Sequence, residues 1–349
     1  MPKRNRYSKS VLITGGAGFI GGNFTRYLYR RYPEYRLLVL DALNYAANVA
    51  NLPESELDSD RLEFSHGDVC DGELVDSLVG RADAVVHFAA ETAVTRSFRH
   101  GRIFFEANVL GTQTVAEAVA NHSATVERFL YISSSEVYGT AQSQRIDEDH
   151  PLCPTSPYAA TKCSADRLVY SYWRSRETPV IIIRSFNNYG PRQHLEKLVP
   201  RFIASCMLGE PLTVHGDGAA ARDFLHVDDH CRALDLLLHA PSERVVGEIF
   251  NLGTGRHTTV VEMAHAICSA MGSPQHPMNF VEERPGQVLR QTADFSKACR
   301  TLGWEPWRSL EDGLRETIAW YRDHEELWRP QLQERQASIA AADGRLVLY

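Results

Sequence analysis

Two side chains near the middle of the sequence have the spacing of an acid–base pair. Tyr158 and Lys162, in the stretch SPYAATK, are four residues apart, so on a helix they share one face. A phenol acts as a base near neutral pH only if its pKa falls from about 10 by roughly three units, and an adjacent ammonium group favours that fall. The pair therefore predicts removal of the proton from an alcohol.

A third chemical group lies in the stretch ISSSEVYG, where Glu136 follows Ser134 and Ser135. A glutamate can remove a carbon-bound proton or donate a proton to a departing oxygen. A serine hydroxyl is far too weak an acid to donate that proton alone. The stretch therefore contains one carboxyl group, that of Glu136. Whether this group removes a proton or donates one depends on the reaction.

Glycines near the start of the chain predict a phosphate-binding turn. Gly15, Gly18 and Gly21, in GGAGFIG, stand between an apolar run and a helical stretch. Backbone N–H groups at a helix N-terminus can then approach a pyrophosphate with no Cβ atoms in the way. Asp41 ends the second apolar run, where a carboxylate binds the adenosine ribose hydroxyls and repels a 2′-phosphate. The combination predicts NAD as cofactor, which would accept a hydride while Tyr158 takes the alcohol proton.

Alternating strands and helices must position these groups. Long helical stretches such as EANVLGTQTVAEAVANH separate the short apolar runs, which are SVLIT, YRLLVLDAL, LEFSHGDVCD, ADAVVHFAAE, VERFLYISSSEVYG and PVIIIRSFNNYG. This alternation predicts an α/β fold with a Rossmann-type doubly wound parallel sheet and helices on both faces. Past residue 190 the pattern loosens, which predicts a smaller, interleaved C-terminal substrate lobe.

The expected domain boundaries follow from this change of pattern. We expect an NAD-binding domain over residues 8–190, with residues 223–254 returning to it. The substrate lobe would then comprise residues 191–222 and 255–330, and residues 331–349 would form a weakly packed tail.

The composition excludes other classes of protein. The formal net charge of -7 gives no basic surface for nucleic acid. The sequence contains no run of about eighteen apolar residues and no signal-peptide pattern, which predicts a cytoplasmic protein with no membrane partner. The seven cysteines form no C-x-x-C pair and no metal-binding spacing, so we expect reduced packing residues and no metal site.

From about residue 10 to residue 325 the chain resembles the extended short-chain dehydrogenase/reductase family. Within that family it is most similar to the NDP-sugar 4,6-dehydratases typified by dTDP-glucose 4,6-dehydratase. The resemblance rests on the stretches LDALNYAANVANL, GDVCD, FAAET, SPYAATKCSADRLV, FNNYGPRQHLEKLVPRFI, GDGAAARDFLHVDDHCRALDLLL and RPGQ. It implies conversion of a nucleotide-activated hexose to a 4-keto-6-deoxy sugar, and a homodimer formed through helices near residues 101–120 and 156–175.

The resemblance also implies roles for individual residues. Ser134 would hold the 4-hydroxyl of the sugar and Glu136 would remove the C5 proton, so the candidate catalytic residues are Tyr158, Lys162, Glu136, Ser134 and Ser135. The cofactor would contact Gly15, Gly18, Phe19, Ile20, Gly21, Asp41, Asp68, Val69, Ala89, Ala90, Tyr158 and Lys162. The sugar nucleotide would contact Thr92, Asn188, Lys197, Leu198, Arg222, Asn251 and Arg284.

The sequence departs from the dTDP-glucose enzymes at Ser135, where those enzymes typically carry aspartic acid. Dehydration stays possible if Glu136 serves as both base and acid, and dehydratases that resemble those acting on GDP-mannose carry Ser-Glu here. A UDP-glucuronate decarboxylase and an NDP-sugar 4-epimerase are alternative enzymes, and an NAD-binding regulator is a non-enzymatic one. The stretch FNNYGPRQHLEKL favours dehydration.

Overall fold

The structure, a computed structural model, describes residues 7–53, 59–283, 286–334, 338–340 and 346–348. Its strands are β1 (Lys9–Thr14), β2 (Tyr35–Asp41), β3 (Leu62–His66), β4 (Ala84–His87), β5 (Arg128–Ser134), β6 (Val180–Ser185), β7 (Asn187–Tyr189), β8 (Leu212–His215), β9 (Ala221–Arg222), β10 (Phe224–His226), β11 (Ile249–Leu252), β12 (Thr258–Thr259), β13 (Met278–Val281), β14 (Ser338–Ala340) and β15 (Leu346–Leu348). Residues 335–337, 341–345 and 349 of the predicted C-terminal tail lie outside the described residues.

The α-helices are α1 (Phe19–Arg31), α2 (Gly72–Val79), α3 (Val94–Ser97), α4 (Gly101–Phe105), α5 (Gly111–Asn121), α6 (Pro157–Arg176), α7 (Leu198–Leu208), α8 (Val227–His239), α9 (Ser242–Val245), α10 (Val260–Ala270), α11 (Ser296–Leu302), α12 (Leu310–Asp323) and α13 (Glu325–Trp328). A π-helical turn, Glu106–Leu110, joins α4 to α5, and short 3₁₀ turns lie at Val49–Asn51, Ser135–Tyr138 and Arg329–Glu334. Within the described ranges, no helix is long and apolar enough to cross a membrane.

Seven of the described strands form one parallel sheet in the order β11-β6-β5-β4-β1-β2-β3. The six strands expected from the sequence are all in it, and β11 joins from later in the chain. The prediction of a Rossmann-type doubly wound sheet is therefore confirmed. Carboxyl ends of parallel strands meet at one edge of such a sheet, which is where ligands bind in this architecture.

Both faces of the sheet are covered by helices. Along β1, Val11 and Ile13 pack towards α1 and α8, whereas Leu12 packs towards α2, α5 and α6. All three side chains are fully buried, because successive side chains of a strand point to opposite faces and each face has its own helical layer. A separate core forms between α7, α10, α12 and α13.

A buried ion pair ties α6 to the sheet. Arg184 on β6 donates from Nε to Asp166 Oδ2 at 3.0 Å and from Nη2 to Asp166 Oδ1 at 3.1 Å. Its Nη1 also donates to the Tyr138 hydroxyl at 2.9 Å, and the Ser133 hydroxyl donates to Asp166 Oδ2 at 2.8 Å. These bonds to Arg184 lower the pKa of Asp166 against the opposing effect of burial. Helix α6 is thus held in one position relative to β5 and β6.

Removing Arg184 should destabilise the protein far more than removing its neighbour Arg167. Arg184→Met leaves Asp166 as a buried charge with its main partner gone, which costs about 3 to 5 kcal/mol of unfolding free energy. Arg167→Met is the matched control, because Arg167 binds the same carboxylate with a side chain that is 41% exposed. The control should cost less than about 1 kcal/mol. Urea unfolding of both variants checks this, and equal losses would contradict the importance of the buried pair.

Candidate active site

A cleft of about 450 Å³ opens at the carboxyl edge of the sheet. Every residue expected to bind the cofactor lines it, as do all five candidate catalytic residues. Five of the seven residues expected to bind the sugar nucleotide line it as well, namely Thr92, Asn188, Lys197, Leu198 and Arg222. The fold therefore brings together groups that are widely separated along the chain.

Close backbone contacts require glycine in the turn between β1 and α1. A Cβ atom on Gly15, whose φ is +69°, would lie 2.5 Å from the backbone nitrogen of Ala89. A Cβ atom on Gly21 would lie 2.2 Å from the carbonyl oxygen of Gly15. Gly18 is the N-cap of α1 and provides no side-chain cap, and the first residues of the helix line the cleft. This end of the cleft fits a pyrophosphate.

Asp41 lies at the end of β2 and closes the same part of the cleft. Its carboxylate accepts hydrogen bonds from the backbone nitrogens of Ala17 at 2.9 Å and Leu43 at 2.8 Å. Burial raises the pKa of Asp41, and these backbone N–H groups oppose the rise. A carboxylate has about four acceptor positions, so with the backbone N–H of Gly18 as a third donor one position is left for a ribose hydroxyl. The residues present thus fit an adenine dinucleotide with an unmodified 2′-hydroxyl.

Helix α6 presents Tyr158 and Lys162 to the cleft. Ser156 is its N-cap and accepts from the Ala159 nitrogen at 3.1 Å, so Tyr158 falls in the first turn and Lys162 one turn later. Lys162 Nζ donates to the carbonyl oxygen of Ile132 at 2.6 Å. The predicted helical spacing is therefore present, and both side chains are nearly inaccessible to water.

Burial moves both groups away from their charged forms. It raises the pKa of Tyr158 to about 12, although a hydrogen bond from Ser134 favours the phenolate. It lowers the pKa of Lys162 to about 7, although Asp166 favours the ammonium form. The protein without ligands therefore does not lower the pKa of Tyr158, although the sequence predicts that the pKa must fall. Additional positive charge in the cleft is needed.

The carboxyl group of Glu136 is carried on the 3₁₀ turn that follows β5. Ser134 caps this turn and accepts from the Glu136 nitrogen at 3.2 Å. Arg222, on β9 of the other lobe, brings its Nε to 3.8 Å from Glu136 Oε1. Ser135 points differently, because its hydroxyl donates to Gln291 Oε1 at 3.0 Å and its side chain is buried.

The predicted sugar-nucleotide residues have different surroundings. Lys197 Nζ donates to the carbonyl and hydroxyl oxygens of Thr92 at 2.9 and 3.1 Å and pairs with Glu196 at 2.9 Å. Asn188 donates to the carbonyl of Phe186, while its Oδ1 is buried and has no hydrogen-bond partner among the described residues. Asn188 lines the cleft, so this oxygen is an unused acceptor close to it.

Among the described residues, one predicted sugar-nucleotide contact, Asn251, does not line the cleft. Asn251 is fully buried, its Oδ1 accepts from the Tyr138 hydroxyl at 2.8 Å and its Nδ2 donates to the Ile146 carbonyl at 2.9 Å. Because both ends of this amide are used inside the fold, we do not retain Asn251 as a ligand contact. Arg284 lies outside the described residues.

Sequence patterns do not single out three residues that shape the cleft. Asn108, in the π-helical turn, accepts from the Glu91 nitrogen at 2.8 Å and donates to the Thr161 hydroxyl at 3.0 Å. Glu196 is partly buried beside Lys197 and accepts from the Tyr45 hydroxyl. The third residue, Gln291, contacts the Glu136 turn. For Asn108 the sequence offers one weak indication, because asparagine is unfavourable inside a helix. No sequence pattern indicates a role for Glu196 or Gln291.

The lowered pKa of Lys162 predicts a pH dependence of stability. Between about pH 7 and 10.5 the unfolded chain binds a proton at Lys162 that the folded chain does not. The free energy of unfolding of the ligand-free protein therefore rises with pH across this window. Lys162→Met removes that contribution, so wild type should gain stability over the variant as pH increases. Urea unfolding near the two ends of the window measures the difference, and parallel pH profiles would contradict the assignment.

Comparison with known proteins places this geometry in a family. The family described as GDP-mannose 4,6 dehydratase matches residues 12–317. The low-salt glycan biosynthesis protein Agl12 of Haloferax volcanii is 44% identical over 316 residues, which cover 90% of this chain and 99% of that protein. The dTDP-glucose 4,6-dehydratase of Streptomyces niveus is 40% identical over 339 residues, covering 96% of this chain and 99% of that protein.

Solved structures agree with the sequence relatives. DesIV, a dTDP-glucose 4,6-dehydratase from Streptomyces venezuelae solved with NAD bound, has a TM-score of 0.87 and 40% identity over 92% of this chain and 99% of its own. UDP-glucuronic acid 4-epimerase from Bacillus cereus has a TM-score of 0.84 and 29% identity over 90% of this chain and 99% of its own. The chain therefore belongs to the GDP-mannose 4,6 dehydratase family of extended short-chain dehydrogenases/reductases, in its NDP-sugar 4,6-dehydratase subgroup.

Proposed function

We propose that this protein is an NAD-dependent 4,6-dehydratase of a nucleotide-activated hexose, and therefore a lyase. The observation that carries the proposal is the carboxyl group of Glu136 in the same cleft as Tyr158 and Lys162. Oxidation at C4 alone needs only the tyrosine and lysine, whereas elimination across C5 and C6 needs a group that moves a proton at carbon. The dTDP-glucose 4,6-dehydratases among its relatives support the same reaction.

NAD is the proposed cofactor. When bound, it accepts a hydride from C4 of the sugar and returns it to C6, so the reaction needs no second redox substrate. The open N-terminus of α1 would hold its pyrophosphate, and Asp41 would accept from its adenosine ribose hydroxyls. Asp68, Val69, Ala89 and Ala90 line the cleft between these groups and Tyr158.

Tyr158 would remove the proton from the C4 hydroxyl. Its pKa of about 12 in the chain alone must fall by several units for this task. Ser134 already stabilises the phenolate through a hydrogen bond, and the positive charge of the bound cofactor and of protonated Lys162 would supply the rest. In this view Lys162 acts through its charge, while its bond to the Ile132 carbonyl fixes its position.

Glu136 would perform the elimination. With a ketone at C4, the C5 proton becomes acidic, and the Glu136 carboxylate takes it. The C5–H electron pair then forms the C5–C6 double bond while the C6–O bond breaks, and the proton on Glu136 passes to the departing oxygen. Water leaves and Glu136 is again a carboxylate, so it completes both of these transfers without any other acid. When the hydride then returns to C6, C5 takes up one proton that comes from solvent, and Glu136 would relay it.

The nucleotide of the substrate would lie against the second lobe. Arg222 and Lys197 would supply positive charge for the diphosphate, the unused Oδ1 of Asn188 would accept a hydrogen bond, and Thr92 and Leu198 line the wall. The lobe boundaries expected from the sequence stay part of this proposal. The pairing of β11 with β6 and the packing of α8 on the sheet support the return of residues 223–254.

A homodimer is also part of the proposal. Ile103, Phe105 and Leu110, on the α4–α5 segment, are 48%, 48% and 43% exposed. An exposed apolar face of this kind on adjacent helices indicates an interface. We further propose a cytoplasmic location, because all seven cysteines are free even though the sulfurs of Cys206 and Cys268 lie 3.9 Å apart.

The proposed reaction predicts loss of one water from a neutral hexose. Purified protein should be incubated separately with dTDP-glucose, UDP-glucose, UDP-N-acetylglucosamine, GDP-mannose and UDP-glucuronate, and product mass followed. Tyr158→Phe should abolish turnover in the same assay while keeping NAD bound. Loss of carbon dioxide from the uronate with the hexoses untouched would show a decarboxylase, and products of unchanged mass would show a 4-epimerase.

Glu136→Gln should separate oxidation from elimination. The variant keeps the shape of the side chain but cannot accept the C5 proton, so C4 oxidation continues while solvent deuterium no longer enters at C5. Turnover should fall by at least about a hundredfold, as expected for loss of a general acid–base group. Glu243→Gln, at an exposed position on α9, is the control. Undiminished exchange at C5 would remove Glu136 from this role.

The proposed dimer interface can be tested by charge substitution. Replacing both Ile103 and Phe105 by lysine should convert the dimer to a monomer, because two charges would be buried against the partner copy. Phe280→Lys is the matched control, since Phe280 is 54% exposed but lies on β13, far along the chain from the helices. Sedimentation equilibrium measures both. Dimers that survive the double substitution would place the interface elsewhere.

A further inference from the structure

The side-chain amide of Gln291 is fully buried and forms hydrogen bonds with the turn that carries Glu136. Its Nε2 donates to the carbonyl oxygens of Ser135 at 2.9 Å and Gly139 at 3.0 Å. Its Oε1 accepts from the Ser135 hydroxyl at 3.0 Å. One side chain therefore binds the residue before Glu136 and the residue that ends the turn.

Gln291 bonds the two ends of the turn, whereas Arg184 and Asn251 bond the Tyr138 hydroxyl. Gly139 closes it with a φ of +68°, and the Gly139 nitrogen donates to the Glu136 carbonyl at 3.2 Å. A Cβ atom on Gly139 would lie 2.2 Å from the Cys153 carbonyl, so the neighbouring chain packs tightly on this point. Loss of the amide would leave two buried carbonyl groups with fewer partners.

The segment that supplies Gln291 also positions the partner of the Glu136 side chain. The Gln291 nitrogen donates to the Ala221 carbonyl at 3.2 Å, and Ala221 precedes Arg222 on β9. Arg222 in turn lies 3.8 Å from Glu136 and donates to the Val288 carbonyl at 2.7 Å. The backbone and the side chain of Glu136 are thus both fixed from one side of the second lobe.

We propose that Gln291 is a positioning residue that fixes Glu136 for the elimination step, and that Ser135 is held by Gln291 and is not the proton donor. This inference rests on the proposed dehydration. The Ser135 proton is directed at the Gln291 oxygen, so the hydroxyl has no proton to present to the departing C6 oxygen. That proton comes from Glu136, which received it from C5.

The test compares Gln291→Met, Ser135→Ala and the double variant in single turnovers with saturating sugar nucleotide. Two signals are followed, namely the near-ultraviolet absorbance of reduced nicotinamide and the release of the dehydrated product. Gln291→Met should form reduced nicotinamide at nearly the wild-type rate but release product about ten- to a hundredfold more slowly, because two carbonyl hydrogen bonds are lost. Reduced nicotinamide should therefore accumulate.

Ser135→Ala should slow product release less, by about threefold, because both carbonyl bonds from Gln291 remain. The double variant should be no slower than Gln291→Met. A slower release in Ser135→Ala than in Gln291→Met would make Ser135 the donor and overturn the proposal. Equal slowing of oxidation and elimination in Gln291→Met would show a general structural role and also overturn it.

A second readout uses the protein without sugar nucleotide. Amide hydrogen exchange across residues 135 to 139 should increase in Gln291→Met and stay unchanged in the sheet. If Gln291→Met does not fold, Gln291→Asn, which keeps an amide but shortens it by one carbon, gives the same comparison. Gln144→Met, at an exposed position, is the control for both readouts. Wild type that dehydrates none of the hexoses would instead disprove the proposed function itself.

Discussion

The buried pair of Asp166 and Arg184 fixes the geometry on which the cleft depends. Asp166 is one helical turn beyond Lys162 on α6, and Arg184 lies on β6. The same guanidinium reaches the hydroxyl of Tyr138, the last residue of the turn that carries Glu136. Helix α6 and the Glu136 turn therefore share one anchor inside the protein. Their relative position is set by a charge network that water does not reach.

Placing these groups in a dry cleft works against the charged forms of Tyr158 and Lys162 that the proposed chemistry uses. Desolvation favours the neutral forms of both Tyr158 and Lys162. Charges brought in by ligands then have a large effect, because they act across short distances with little screening. The cleft is therefore suited to chemistry that begins only when it is filled.

The sequence allowed the fold and the local parts of the site to be predicted. Short apolar strands alternate with helices, the glycine turn follows the first strand, and Tyr158 and Lys162 share a helix face through a spacing of four. Each of these signals lies within a few residues of chain. Contacts over long separations leave no such signal, as with Ser135 and Gln291, which are 156 positions apart. Asn251 shows the converse, because a polar residue within a strand can bond to the protein interior instead of a ligand.

Strand β11 has a consequence for how the chain folds during synthesis. It pairs with β6, yet α7, β8, β9, β10 and α8 are all made between the two strands. Until Ile249–Leu252 leaves the ribosome, β6 is an edge strand with unpaired backbone groups. The sheet is completed only after residues 186–248 have been synthesised. The sheet and the core formed by α7, α10, α12 and α13 are consequently interlocked in chain order, and a contiguous exchange of everything after β6 between relatives would also remove a strand from the sheet.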